Sequence, residues 1–244
     1  MKKIDFDDYA TKYNDLMQKQ HVLLGDISYY SEHKVKITKN IVNKYFKNNN
    51  FLNILEYGCG IGRNLPYLKK YFPESKIFAY DISTESLKIA KIQNQNVQFI
   101  FKEDIEKYKN KFDLIFVAGV YHHLPINIRE NMTSKIKTLL SKEKGVVIIF
   151  EHNKYNPLTR LMVSTCEFDN DAILLTKQEL KMLCENNGFC HIRSGYTMFV
   201  PPIFKKFAFL EKLLHWFPLG GQYYIVLADT TNKIERKRCL LYHY

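Results

Sequence analysis

Glu56, Gly58, Gly60 and Gly62 occupy alternate positions in the run Asn53-Ile54-Leu55-Glu56-Tyr57-Gly58-Cys59-Gly60-Ile61-Gly62. Glycines at this spacing permit a sharp turn and let a ligand lie against the backbone, because any side chain there would take the ligand's volume. The dinucleotide fingerprint places its third glycine three residues after the second, and that position is Arg63. The register therefore does not suit NAD. Glu56 would repel a pyrophosphate but attract an ammonium or sulfonium group. The chemistry indicated is the binding of a cationic amino-acid cofactor.

Two further carboxylates extend the constellation. Asp81 ends an apolar segment, Lys76 to Tyr80, where a carboxylate accepts from both ribose hydroxyls of an adenosine. Asp104 follows the segment Val97 to Phe101 and is placed to accept from an adenine amino group. His122, His123 and His152 follow the fourth and fifth apolar segments, and imidazole is a competent base near neutral pH. Glu151 is placed to orient one of them. Asn153, Tyr155 and Arg160 are candidates for substrate contact. No metal-ligand motif is visible, and five cysteines without a C-x-x-C pair predict reduced thiols.

The elements that must hold these groups alternate along the chain. Phe51 to Leu55 is a short apolar run bounded by a turn, as for a strand buried on both faces. After the glycines, Leu65, Leu68 and Phe72 recur at helical spacing before Pro73. Ser83 caps the next helix, and Asn127 with Glu130 and Thr176 with Glu179 have capping-box spacing. Gly145 to Phe150 forms a fifth strand, and Cys190 to Thr197 and Gln222 to Ala228 the last two. Insertions follow Glu151 and Met198. In the second, apolar residues at 203, 207, 210, 214 and 217 give a helical stripe whose preferred role is packing onto the core; Phe204, Phe209 and Trp216 widen it, and Lys205, Lys206 and Lys212 beside them leave contact with anionic headgroups as the alternative.

The residues Glu56 to Gly62, Asp81, Lys102-Glu103-Asp104-Ile105 and Phe112 to Leu124 together resemble the class I S-adenosylmethionine-dependent methyltransferases, over roughly Leu52 to Glu151. Tyr57 departs from the small or aliphatic residue usual in that family. The resemblance implies a Rossmann-like α/β/α sandwich with a seven-stranded, mostly parallel sheet whose last strand is antiparallel. It also implies that the glycine loop takes the methionine moiety, Asp81 the ribose and Asp104 the adenine. Cys59, Ile82, Ile105, Ala118 and Tyr13 are then expected against the cofactor.

A chain of 244 residues with 46% hydrophobic residues can bury a sizeable core. One domain, 1–244, is expected: a helical lid (1–50), a cofactor core (51–150), substrate-side insertions with the closing strands (151–229) and a basic tail (230–244). The N-terminus lacks a signal-peptide pattern and no apolar run approaches a membrane span, so a cytoplasmic location is expected, with peripheral membrane contact open. A net charge of +11 favours acidic partners. The expected function is methyl transfer to oxygen or nitrogen of a small, anionic acceptor, with a sugar, nucleotide-linked or surface-glycan precursor preferred. That preference rests on the likeness of 151–160 to methyltransferases of surface-polysaccharide pathways. Alternatives are an RNA methyltransferase, a membrane-associated enzyme with a lipid-linked acceptor, and a non-catalytic module on the same fold. Nucleic acid is not favoured as a partner, since no RNA-binding motif accompanies the basic tail. The oligomeric state is not legible.

Overall fold

The computed structural model describes Asp7 and residues 26–46 and 52–230. Seven strands form one sheet: β1 (Asn53–Tyr57), β2 (Lys76–Tyr80), β3 (Gln98–Ile100), β4 (Leu114–Ala118), β5 (Val146–His152), β6 (Phe189–Thr197) and β7 (Gln222–Asp229). Their spatial order is β3, β2, β1, β4, β5, β7, β6. Only β7 runs antiparallel to its neighbours, pairing with β5 on one side and β6 on the other. This is the sheet that the family resemblance implies.

Apolar runs with few polar interruptions put successive residues on opposite faces, and both faces are covered, as a parallel sheet requires. Leu55, Ile115, Val117, Val147 and Ile149 point into one layer, where they meet Ile136 and Leu139 of α4 (Ile126–Leu139) and Leu180 of α6 (Lys177–Asn186). Ile54, Leu114, Phe116, Ile148 and Phe150 point the other way. They meet Val35 and Val42 of α1 (Ile27–Tyr45), Leu65 and Leu68 of α2 (Leu65–Tyr71) and Leu87 of α3 (Thr84–Gln93). Three layers result. Two further helices, α5 (Pro157–Thr165) and α7 (Leu210–Leu214), belong to the two insertions.

The strand order turns around between β1 and β4, so the connections leaving their carboxyl ends diverge and open a crevice. Gly58 and Gly119, both at positive φ, begin those connections.

Local expectations fare unevenly. Ser83 caps α3, and Thr176 and Glu179 form a complete capping box on α6, which Gly188 follows at φ +78°. The box expected at Asn127 and Glu130 does not form. Pro125 precedes the first turn of α4, which starts at Ile126 without a side-chain cap. The stripe at 203–217 is not one helix but a kinked 3₁₀ segment, Pro202–Phe207, followed by α7. The stripe does not pack into the core as a whole: Ile203, Phe207 and Phe217 are exposed and Leu210 and Leu214 only half-buried, while Leu213 and Trp216 beside the stripe are exposed as well. Cys59, Cys166 and Cys184 are free thiols as expected, whereas Cys190 is disulfide-bonded. Tyr13, most of the expected lid and residues 231–244 lie outside the described residues.

Candidate active site

The glycine turn is folded over the end of β2. The backbone N–H groups of Gly58 and Cys59 both donate to the Tyr80 carbonyl, at 2.8 and 3.0 Å. The Gly60 N–H donates to Asp81 Oδ2 at 2.7 Å, while Asp81 Oδ1 accepts from the Ser83 N–H at 2.9 Å. Burial raises the Asp81 pKa, and these N–H groups oppose the rise. The glycines differ in what surrounds them. A Cβ on Gly58 would sit 2.5 Å from a Val120 methyl, and one on Gly62 would meet Asn94 at 2.8 Å. A Cβ on Gly60 would meet nothing within 4 Å, and Gly60 faces the cavity.

Glu56 lies one layer behind this wall. Its Oε1 accepts from Asn64 Nδ2 at 2.7 Å, and its buried Oε2 has no hydrogen-bond partner among the described residues. Burial raises its pKa to about 8, against the pull of Asn64 and the Lys34 cation. Lys34, from α1, lines the cavity, and burial lowers its pKa to about 8 against the attraction of Glu56 and Glu151. The sequence marks Lys34 only as part of a lid. Its place beside Glu56 follows from α1 packing on the sheet, which no local spacing encodes.

The three histidines converge at the other end. His122 Nδ1 lies 2.7 Å from Glu151 Oε2, and Glu151 Oε1 accepts from the backbone N–H groups of Val120 and Tyr121 at 2.9 and 2.7 Å. Asp169 Oδ1 lies 3.6 Å from His122 Nε2 and 3.5 Å from His123 Nε2. The rings of His123 and His152 are 4.0 and 4.8 Å from that of His122, centre to centre. The two carboxylates raise His122 to about 9 despite its burial. Burial and the His122 cation lower His123 to about 3 and His152 to about 4. At neutral pH this is one imidazolium between two carboxylates, flanked by two neutral imidazoles. His122, His123 and Asp169 also present ligand-type atoms within 4.8 Å of one another.

One cavity of about 590 Å³ joins the glycine turn to the histidines. Gly58, Cys59, Gly60, Asp81, Ile82, Ala118, His122, His123 and His152 all line it. Other expected site residues do not. Gly62 turns its Cα toward Asn94 and Ala90. Asp104 is turned outward into an ion pair with Lys107, Ile105 is fully buried, and Lys102 lines the cavity instead. Glu151 is buried behind His122. Tyr155 and Arg160 are exposed and off the cavity. Asn153 is a buried strap, its Nδ2 donating to the carbonyls of Pro218 and Gly220 at 2.9 and 2.8 Å. Asn156, Thr159 and Met162 supply the wall there.

The polar groups present fit an adenosyl amino acid. Asp81 offers a carboxylate at the end of β2, Gly60 offers an open backbone face, and Ile82 is an exposed apolar residue on the rim.

A family model described as a methyltransferase domain matches residues 30–193. An uncharacterized protein of Rickettsia prowazekii is 29% identical over 160 residues, covering 60% of this chain and 64% of that protein. A malonyl-(acyl-carrier protein) O-methyltransferase of Ilyobacter polytropus is 39% identical over 82 residues, 32% of this chain and 30% of its own length. The chain thus spans less than two thirds of either relative. A SAM-dependent methyltransferase from Thermotoga maritima has the same fold at TM-score 0.65 and 16% identity, over 92% of this chain and 99% of that one. The magnesium protoporphyrin IX methyltransferase of Synechocystis, solved with bound S-adenosylhomocysteine, matches at TM-score 0.57 and 16% identity, over 91% and 97%.

Proposed function

The chain belongs to the methyltransferase-domain family of S-adenosylmethionine-dependent enzymes, and from that premise we propose that it methylates an oxygen of a small anionic acceptor held beside His123 and His152. The observation that carries this reading is the single cavity linking Asp81 and Gly60 to the histidine cluster. The bound cofactor supplies an electrophilic methyl group on a sulfonium.

Each residue then has a separable task. Asp81 accepts from the ribose hydroxyls, Ile82 and Tyr80 flank the adenine, and the Gly60 backbone lies against the methionine moiety. Lys34, with Glu56 behind it, faces the charged end of that moiety. Holding the two reactants in line and away from water is the main contribution such a site makes to the rate. Among the described residues, Lys34, Arg63, Lys102, Lys135 and protonated His122 line the cavity against only Asp81 and Asp169. This excess supports an anionic acceptor, with a sugar, nucleotide-linked or surface-glycan precursor preferred.

His123 and His152 are neutral at pH 7, and the buried Nδ1 of His152 has no hydrogen-bond partner among the described residues. A base this weak suits oxygen better than nitrogen, since an oxygen that has just gained a methyl group is a strong acid and gives up its proton readily. A carboxylate acceptor is the second reading, favoured by the same cationic lining and by the malonyl-(acyl-carrier protein) relatives. It needs no base. Incubation with methyl-labelled cofactor and fractionated extracts, read by mass, tests both: a hydroxyl acceptor is slowed by His152→Asn and a carboxylate acceptor is not. Label confined to RNA would overturn both readings.

A further inference from the structure

We propose that residues 201–219 form a docking face for an anionic lipid bilayer, which sets the cavity mouth against the membrane surface. In the terms of the preceding subsection, this makes the acceptor a lipid-borne anion, and that clause alone rests on the methyl-transfer reading.

The face is the inverse of a helix packed onto a core. The buried residue of α7 is its one carboxylate, Glu211, while Leu213 beside it is exposed. Glu211 gathers the backbone N–H groups of Met198, Phe199 and Val200 at 2.8–3.0 Å, and His33 lies 3.7 Å away. At the far end, Asn153 and Asn156 donate to the carbonyls of residues 218–220. Buried polar anchors thus hold the segment in place, and its apolar side chains turn outward. Ile203 is 81% exposed and Trp216 69%, with Phe204, Phe207 and Leu213 also exposed. An apolar surface this dense is a contact surface in waiting rather than ordinary surface scatter.

Charge selects the occupant. Glu211 is the only acidic residue in 201–219, and it is buried; Lys206 and Lys212 are exposed among the apolar groups. Lys154 and Arg160 add exposed cations on the neighbouring insertion, whose loop is tied to 218–220. Lysines flanking exposed Trp, Phe and Leu match an interfacial element that sinks its apolar groups to the headgroup boundary. In a two-fold dimer of this chain the same cationic face would meet itself, with no exposed carboxylate in 201–219 to balance its lysines. No described helix is long and apolar enough to cross a membrane, so the face lies on the bilayer rather than through it. Met198, Phe199 and Pro201 pass from this segment into the cavity wall, so docking brings the bilayer to the mouth.

Trp216 is the only tryptophan in the chain, so its emission reports on this face alone. The full chain is mixed with phosphatidylcholine vesicles, with and without phosphatidylglycerol, some carrying brominated acyl chains. The expected result is a blue shift and bromine quenching with the anionic vesicles only. Leu213→Glu should weaken that binding on the order of tenfold, with cofactor titration and unfolding midpoint unchanged. Three results would overturn the proposal: no vesicle binding, binding without quenching of Trp216, or a blue shift without lipid that rises with protein concentration alongside a dimer mass. Docking is read without any methyl transfer, so a missing activity would leave it standing and a missing quench would leave the transferase reading standing.

Discussion

His122 Nδ1 and Glu151 Oε2 lie 2.7 Å apart, and both side chains are buried. Because the other Glu151 oxygen is held by two backbone N–H groups, the carboxylate cannot rotate, and it fixes the imidazole it clamps. His122 is then a fixed cation facing Asp169, which sets it apart from His123 and His152. The three histidines look equivalent in sequence, but one is clamped between carboxylates and the other two are held neutral by burial and by its charge.

The pair sets a pH window for stability. His122 is raised from 6.5 to about 9, so its contribution is complete below pH 6.5 and is lost as pH rises through about 9. Glu151 is lowered from 4.5 to about 2, so its contribution is complete above pH 4.5 and is lost as pH falls through about 2. Urea unfolding should show that His122→Gln removes the alkaline decline between those His122 values. Glu151→Ala, which strands a buried cation, should cost about 3–5 kcal/mol at pH 6. A wild-type alkaline limb in His122→Gln would contradict the pairing.

Gly58 and Gly60 should respond differently to one added methyl group. Gly58→Ala places a Cβ against Val120 at positive φ, so it should lose more than the about 1–2 kcal/mol that the left-handed conformation alone costs. Gly60→Ala incurs only that conformational cost, but its methyl enters the cavity. Paired thermal melts and S-adenosylhomocysteine titrations should find Gly58→Ala the less stable and Gly60→Ala the worse binder for its stability. Equal affinity in Gly60→Ala and wild type would remove the loop from the cofactor site.

Lys34→Met tests the residue that α1 contributes. A hydrogen bond to a charged group is worth about 1.5–3 kcal/mol, so cofactor affinity should fall on the order of tenfold to a hundredfold. The unfolding midpoint should move little, since burial of the ammonium already opposes its charge. Unchanged affinity would show that Lys34 does not face the ligand.

Much of the scaffold was legible because it is local. Lys76 to Tyr80 is β2 to the residue, and the Thr176 and Glu179 box caps α6 as its spacing requires. Gly58, Gly60 and Asp81 meet at one wall, because strand and turn together dictate where their backbone goes. Other assignments needed contacts that spacing does not carry. Asp104 sits at the expected point of the chain, but the 3₁₀ turn that follows aims it at Lys107. Asn153 has the right type for substrate contact but is used up by the carbonyls of a distant insertion. The 203–217 stripe reads as core because periodicity reports amphipathicity and not which side faces in. The buried Glu211 settles that only once its backbone partners are in view.

Calorimetric titration of the full chain with S-adenosylhomocysteine, beside Asp81→Asn, tests the central claim most directly. The expected result is saturable binding by the wild type and a loss in Asp81→Asn on the order of tenfold or more, since ribose hydroxyls would lose a charged acceptor. No binding by the folded wild type at millimolar ligand, or equal affinity in the two proteins, would contradict a cofactor seated between Gly60 and Asp81.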